Sequence, residues 1–414
     1  MTDLLRVATA GSVDDGKSTL IGRLLHDSHN IHLDQLAAIS QASRRRGLRD
    51  TDLALLTDGL RAEREQGITI DVAYRYFATP TRNIVLADTP GHVQYTRNMV
   101  TGASLADVAV VLIDAELGVV EQTRRHIAIA ALLGVQHLTL AVNKMDKVRF
   151  QEKIFTDIVE QVRMLGDGLD APEVVAIPVS ALHGDNVVRR STEMPWYQGQ
   201  TLLEHLESVR ITPPIELAAR LPIQLVIRGD GYRGYAGRLL AGELSVGAEV
   251  TVLPAGVRST IIGIDTADGA LDVARPGQSI SVRLGDHVDV ARGDVLVARQ
   301  GGESPMVTAH LSAQVCVVGD RALRVGANVK VRAGTQEVRA VLTDIAARMD
   351  LGSLRPESAS ELCTNDLGQV SVRLAQPIVA DKYRACRHTG SFLLLDSDSG
   401  GTIAAGMVTE YCQN

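Results

Sequence analysis

The stretch Gly11-Ser12-Val13-Asp14-Asp15-Gly16-Lys17-Ser18 decides the fold. Two glycines bracket four residues and are followed by Lys and a hydroxyl residue, the spacing of a phosphate-binding loop. Its backbone N–H groups can wrap phosphate oxygens, and the helix that follows adds a favourable dipole. Upstream, Leu5–Ala10 reads as a buried strand; downstream, Lys17–Leu25 reads as a helix. That is the context the loop needs. Lys17 is placed to reach the β- and γ-phosphates, and Ser18 to offer its hydroxyl to Mg2+. The ligand class is therefore a nucleoside polyphosphate with Mg2+, with Gly11 through Thr19 assigned to the nucleotide: Gly11, Ser12, Val13, Asp14, Asp15, Gly16, Lys17, Ser18 and Thr19.

Working outward, short apolar runs alternate with helical patterns up to about residue 208. Ile84–Ala87, Val108–Ile113, Leu138–Val142 and Val174–Pro178 read as strands, and stretches near 122–134 and 150–165 as helices. This alternation implies a parallel-rich sheet with helices on both faces, whose ligands sit beyond the carboxyl ends of the strands. The other motifs fall at such ends. Asp88-Thr89-Pro90-Gly91 would hold Mg2+ through water from Asp88 and sense the γ-phosphate with the Gly91 N–H. In Asn143-Lys144-Met145-Asp146, a carboxylate at Asp146 can accept from the N1–H and 2-amino group of guanine. Adenine has no donor at either place, and sites built on such bonds discriminate strongly. Asn143 would tie this loop to the phosphate loop, and the Lys144 stem would cover one face of the base. Ser180-Ala181-Leu182 suits a backbone N–H contact to guanine O6. Thr69, in the segment before the next strand, is the candidate second hydroxyl on Mg2+, and His92, beside Gly91, is placed to orient the attacking water. Four motifs in this order specify GTP.

Near Ile211-Thr212-Pro213-Pro214 the pattern changes to short alternating runs punctuated by Gly: Ile223–Arg228, Gly237–Leu240, Glu249–Leu253 and Ser279–Leu284. This is the signature of antiparallel barrels or sandwiches. A second break near Gly301–Pro305 divides it. The expected architecture is a P-loop GTPase α/β domain over 1–210, then two all-β barrel domains over 215–303 and 304–414.

Over 414 residues the net charge is −7, which disfavours a broad nucleic-acid surface, and 3% aromatic content supplies no base-stacking platform. Cys316, Cys363, Cys386 and Cys412 lack CxxC spacing and read as thiols of a reducing compartment. Cys386 with His388 has no second pair to make a metal site. No apolar run approaches bilayer length and no signal peptide is seen, so a cytoplasmic location without membrane contact is expected. The basic cluster Lys382, Arg384, Arg387 and His388 reads either as a solvated strand edge or as a partner-facing surface.

Taken together, Glu63-Arg64-Glu65-Gln66-Gly67-Ile68-Thr69-Ile70 and Asp88-Thr89-Pro90-Gly91-His92 resemble the translation-factor class of GTPases. Within it, positions 11–25, the stretch Asp58 to Phe77, and Gln94-Tyr95-Thr96-Arg97-Asn98-Met99 with Thr101-Gly102-Ala103-Ser104 resemble the GTPase subunits of sulfate adenylyltransferase. The resemblance covers the whole chain, more loosely in the barrels. It implies His92 as the water-orienting residue, Lys17, Thr69 and Gly91 around the reacting phosphate, Val13 and Ile68 as an apolar gate, and a monovalent cation near Asp14. It further implies a small catalytic subunit as partner in a heterodimer. That partner forms adenosine 5'-phosphosulfate and pyrophosphate from ATP and sulfate, driven by GTP hydrolysis to GDP. With no second phosphate loop, a fused kinase activity is not expected. Two other readings are a translation elongation factor-like GTPase delivering aminoacyl-tRNA and a regulatory switch for an unrelated partner. Against the former stand the acidic pI and Ser12 and Asp15, where elongation factor Tu typically has two histidines.

Overall fold

The computed structural model describes residues 4–31, 33–45, 51–56, 71–166, 173–211, 216–229 and 231–411. The chain divides into two compact units, 1–212 with 350–355, and 213–349 with 356–414. Thr69, Ile68, the rest of the 63–70 string, Pro213-Pro214 and Cys412 lie outside the described residues.

The first unit is built on six strands: β1 (Leu4–Ala10), β2 (Ala73–Ala78), β3 (Asn83–Asp88), β4 (Val108–Asp114), β5 (His137–Asn143) and β6 (Glu173–Pro178). Their order is β2-β3-β1-β4-β5-β6, with all neighbours parallel except β2 and β3. Every residue of β4, Val-Ala-Val-Val-Leu-Ile-Asp, is buried, as befits a strand covered on both faces. Among the described residues the α-helices of this unit are α1 (Lys17–Asp27), α2 (Leu33–Arg45), α3 (Thr96–Ala103), α4 (Glu121–Leu132), α5 (Glu152–Gly166) and α6 (Leu202–Ser208). Leu20, Ile21 and Leu24 of α1 join Leu5, Val7, Ile84, Leu86 and Leu112 in one core. The last helix starts on a capping box, in which Thr201 accepts from the Glu204 N–H and Glu204 accepts from the Thr201 N–H. Arg82 buries itself against its other end, donating to the carbonyls of Leu206 and Val209.

The second unit holds two six-stranded antiparallel barrels. One runs Glu249–Leu253, Val295–Ala298, Arg220–Gly229, Tyr232–Arg238, Ser279–Leu284 and Val257–Thr266, and closes where the first and last of these pair. The other runs Asn328–Ala333, Ser391–Asp396, Thr402–Tyr411, Met306–Val317, Leu367–Ala380 and Gln336–Asp350, closed in the same way. Alternation fills their interiors, with Leu221, Ile223, Val250 and Val282 in one, and Val315, Val331, Leu342 and Val372 in the other. The strand expected at Gly237–Leu240 lies earlier, at Tyr232–Arg238. A glycine-rich run, Tyr-Arg-Gly-Tyr-Ala-Gly-Arg, hides it from a search for apolar residues.

One buried ion pair joins the barrels. Arg220 is fully buried and meets Asp381 in two parallel bonds, Nε to Oδ2 at 2.9 Å and Nη2 to Oδ1 at 2.8 Å. Arg220 also donates to the Glu303 carbonyl at 2.7 Å, and the Thr389 hydroxyl donates to Asp381. Next to this pair in sequence, Lys382, Arg384 and His388 are exposed, whereas Tyr383 and Cys386 are buried.

Candidate functional site

Between β1 and α1 the loop turns on two left-handed residues, Asp14 (φ 67°) and Gly16 (φ 90°). A Cβ on Gly16 would lie 2.5 Å from the Asn143 amide nitrogen, so both conformation and space require glycine there. Lys17 is buried and folds back over the loop, donating to the carbonyls of Gly11 and Ser12, each at 2.8 Å. Its burial pulls the ammonium pKa down, opposed by Asp88, Asp15 and Asp14. Asp15, also buried, accepts from the Ser12 N–H at 2.5 Å, and its desolvation pushes the carboxyl pKa up. Asp14 is exposed, while Val13 and Ser18 are half-buried. The Ser12 hydroxyl is buried with no hydrogen-bond partner.

Register brings the end of β1 beside the loop expected to sense the γ-phosphate. Thr9 of β1 stands beside Asp88 of β3, and its hydroxyl donates to Asp88 Oδ1 at 3.3 Å. The Thr89 hydroxyl donates to the Thr9 carbonyl at 2.5 Å. Asp88, Thr89, Pro90 and Gly91 are all buried against the phosphate loop. A Cβ on Gly91 would stand 2.4 Å from both the Gly11 carbonyl oxygen and Lys17 Nζ. His92 is exposed, with its ring edge-to-face on Tyr95 at 6.1 Å between centroids.

On the base side, Asn143 connects three loops. Its amide nitrogen donates to the Asp15 carbonyl at 2.8 Å, and its amide oxygen accepts from the Ala181 N–H at 2.9 Å. The Ser180 hydroxyl donates to Asp146 Oδ1 at 2.6 Å, which orients the carboxylate and leaves its second oxygen for a ligand. In Ser180-Ala181-Leu182 the first two N–H groups are taken, by the Asp185 carbonyl and by Asn143. Lys144 adopts φ 62° and its ammonium is tied to buried Asp114 at 2.6 Å, which positions the stem expected over the base. The residues that could hold Mg2+ among those described are Ser18 and Asp88.

The family model for the elongation factor Tu GTP binding domain matches residues 2–213, and the GTP-eEF1A C-terminal domain-like model matches 310–409. Sulfate adenylyltransferase subunit 1 of Aeromonas hydrophila is 48% identical over 411 residues, which cover 98% of this chain and 86% of that protein. This chain belongs to the sulfate adenylyltransferase subunit 1 family. The bifunctional enzyme CysN/CysC of Mycobacterium tuberculosis is 50% identical over 416 residues, covering 99% of this chain and 67% of that protein.

Several residues of this family member that shape the site carry no motif. Asp114 ends β4 and anchors Lys144. Arg23, on α1, donates to the carbonyls of Ala181 and Leu182 and so holds the base loop from behind. His126, on α4, is fully buried, and its Nδ1 has no hydrogen-bond partner. Burial, then the charges of Lys17 and Arg125, drop its pKa to about 3. Only Asp114, an acid closing an otherwise apolar strand, leaves a trace in the sequence.

Proposed function

We propose that this chain is the GTP-hydrolysing subunit of a two-subunit sulfate adenylyltransferase. The reading rests on family membership together with one geometric observation: Asn143 links the phosphate loop at Asp15 to the base loop at Ala181. A phosphate cradle and a guanine-reading carboxylate are thereby held in one frame.

Asp146 selects guanine, accepting from N1–H and the 2-amino group, while Ser180 fixes the carboxylate. Lys17, desolvated and opposed by three acids, presents its charge to the terminal phosphates. The Gly91 N–H reports whether the γ-phosphate is present, and His92 orients the attacking water. Ser18, Asp88 through water, and Thr69 would hold Mg2+, which neutralises phosphate charge when bound. The buried Asp88 carboxylate and the half-buried Ser18 hydroxyl suit such a hard cation. A monovalent cation would bind at exposed Asp14.

The partner is the small catalytic subunit, which joins ATP and sulfate into adenosine 5'-phosphosulfate with release of pyrophosphate. That reaction is unfavourable alone. Hydrolysis can drive it only if GTP and GDP forms bind the partner's states with different free energies. The complex works in the cytoplasm as a heterodimer, without membrane or nucleic acid. The test is copurification with the small subunit, followed by sulfate-dependent pyrophosphate release with and without GTP. Release should rise with GTP; release indifferent to GTP in the assembled complex overturns the reading.

A further inference from the structure

The second barrel carries a basic concavity that the nucleotide site does not use. Three of its neighbouring strands are Asn328–Ala333, Gln336–Asp350 and Leu367–Ala380. Val329, Val331, Ala340, Leu342, Val372 and Leu374 point inward and are buried. The alternation puts Lys330, Arg339, Val341 and Arg373 on the outer face. Lys330 stands opposite Arg339, and Arg373 opposite Val341, two residues along the same strand. Facing positions lie about 5 Å apart and diagonal ones about 7–8 Å, so three cations crowd one small area, an arrangement unfavourable without an anion. With Asn328 and Ser397 they line a cavity of about 650 Å³.

Pairing supplies a second, independent observation. Elsewhere on this barrel Arg321, Arg324, Arg332 and Arg348 each meet a carboxylate: Asp396, Glu361, Glu337 and Glu357. Among the described residues Arg339 and Arg373 meet none. Lys330 reaches Glu337 at 3.3 Å, but that carboxylate is shared with Arg332 at 2.7 Å. The excess positive charge stands out on a chain of net charge −7. Among the described residues no aromatic ring lines the cavity, so it offers no base-stacking platform.

We propose that Lys330, Arg339 and Arg373 form a binding site for a small soluble polyphosphate anion, separate from the GTP site. Arginine forks suit paired phosphate oxygens, and Asn328 and Ser397 add uncharged hydrogen-bonding groups at the edge. The inference stands independently of the reaction proposed above.

The full chain, with its phosphate loop filled by excess GDP and Mg2+, is dialysed to equilibrium against radiolabelled inorganic pyrophosphate. Saturable binding of one pyrophosphate is expected. The double variant Arg339→Gln/Arg373→Gln should weaken it at least about tenfold, the loss of one to two charge-assisted bonds. Arg324→Gln, which removes an arginine paired with Glu361 and absent from the cavity, should leave it unchanged. Inorganic sulfate should compete at least about tenfold less well, having one anionic group to place among three cations. Absence of saturable binding, equal weakening by Arg324→Gln, or sulfate competing as well as pyrophosphate overturns the proposal.

Discussion

Asn143 donates its side-chain amide to the main-chain carbonyl of Asp15 at 2.8 Å, across 128 residues of sequence. Its other amide atom holds Ala181, so the strand that ends at Asn143 ties the phosphate loop to the 180–182 loop. Removing the amide in Asn143→Ala leaves a buried carbonyl and a buried N–H unsatisfied. Nucleotide affinity should fall by about 2–3 kcal/mol, roughly 30- to 150-fold. Titration with a fluorescent GDP analogue measures it, and a loss below threefold would detach Asn143 from both loops.

Gly91→Ala places a methyl 2.4 Å from Lys17 Nζ and from the Gly11 carbonyl oxygen. Overpacking of this kind costs about 1–3 kcal/mol. It should fall on the triphosphate form, since Gly91 lies where the γ-phosphate would be sensed. Affinity for a non-hydrolysable GTP analogue should drop more than affinity for GDP; equal losses would place Gly91 outside γ-phosphate recognition.

Asp146→Asn keeps an oxygen to accept from the Ser180 hydroxyl, so the loop should hold its shape. The new amide donates where the carboxylate accepted, which suits the 2-keto group of xanthine. Preference should swing from GTP toward xanthosine triphosphate by about a hundredfold or more in competition binding. Retained guanine preference would move base recognition elsewhere.

His92→Ala removes an exposed imidazole held against Tyr95. Turnover of GTP should fall about a hundredfold, within the usual range for a lost acid–base or water-orienting group, with KM little changed. Single-turnover hydrolysis in the presence of the partner measures it, and unaltered kcat would take His92 out of the mechanism.

Burial lowers the pKa of His126 from 6.5 to about 3. The unfolded chain therefore takes up that proton first. The stability this neutral histidine contributes is complete above about pH 6.5 and is lost as pH falls toward about 3. His126→Gln should flatten the fall of unfolding free energy across this window, by up to about 1.4 kcal/mol per pH unit. Urea denaturation at several pH values reads the slope; identical slopes in both proteins would mean that His126 titrates normally.

The sheet and its motifs were legible because each motif closes an apolar run, and parallel sheets bind at those ends. The barrels showed as alternation, though Tyr232–Arg238 was missed because glycines replace its apolar side chains. Ala73–Ala78 escaped for another reason. It is an antiparallel edge strand with Tyr74 and Tyr76 exposed, so it lacks the continuous apolar text of its neighbours. What sequence could not convey were bonds made across the fold: Lys144 to Asp114, Arg23 to the base loop, and Thr9 to Asp88. Each joins residues tens of positions apart or more, through chemistry that common residues carry anywhere.

The Arg220–Asp381 pair has a mechanical consequence. Removing either partner would strand a charge in the interior at about 3–5 kcal/mol, so sliding one barrel on the other carries a similar penalty. Two domains that could each wander are reduced to a single lever. Neither barrel can then turn against the other without baring a charge, so the basic concavity keeps a fixed bearing on the first barrel.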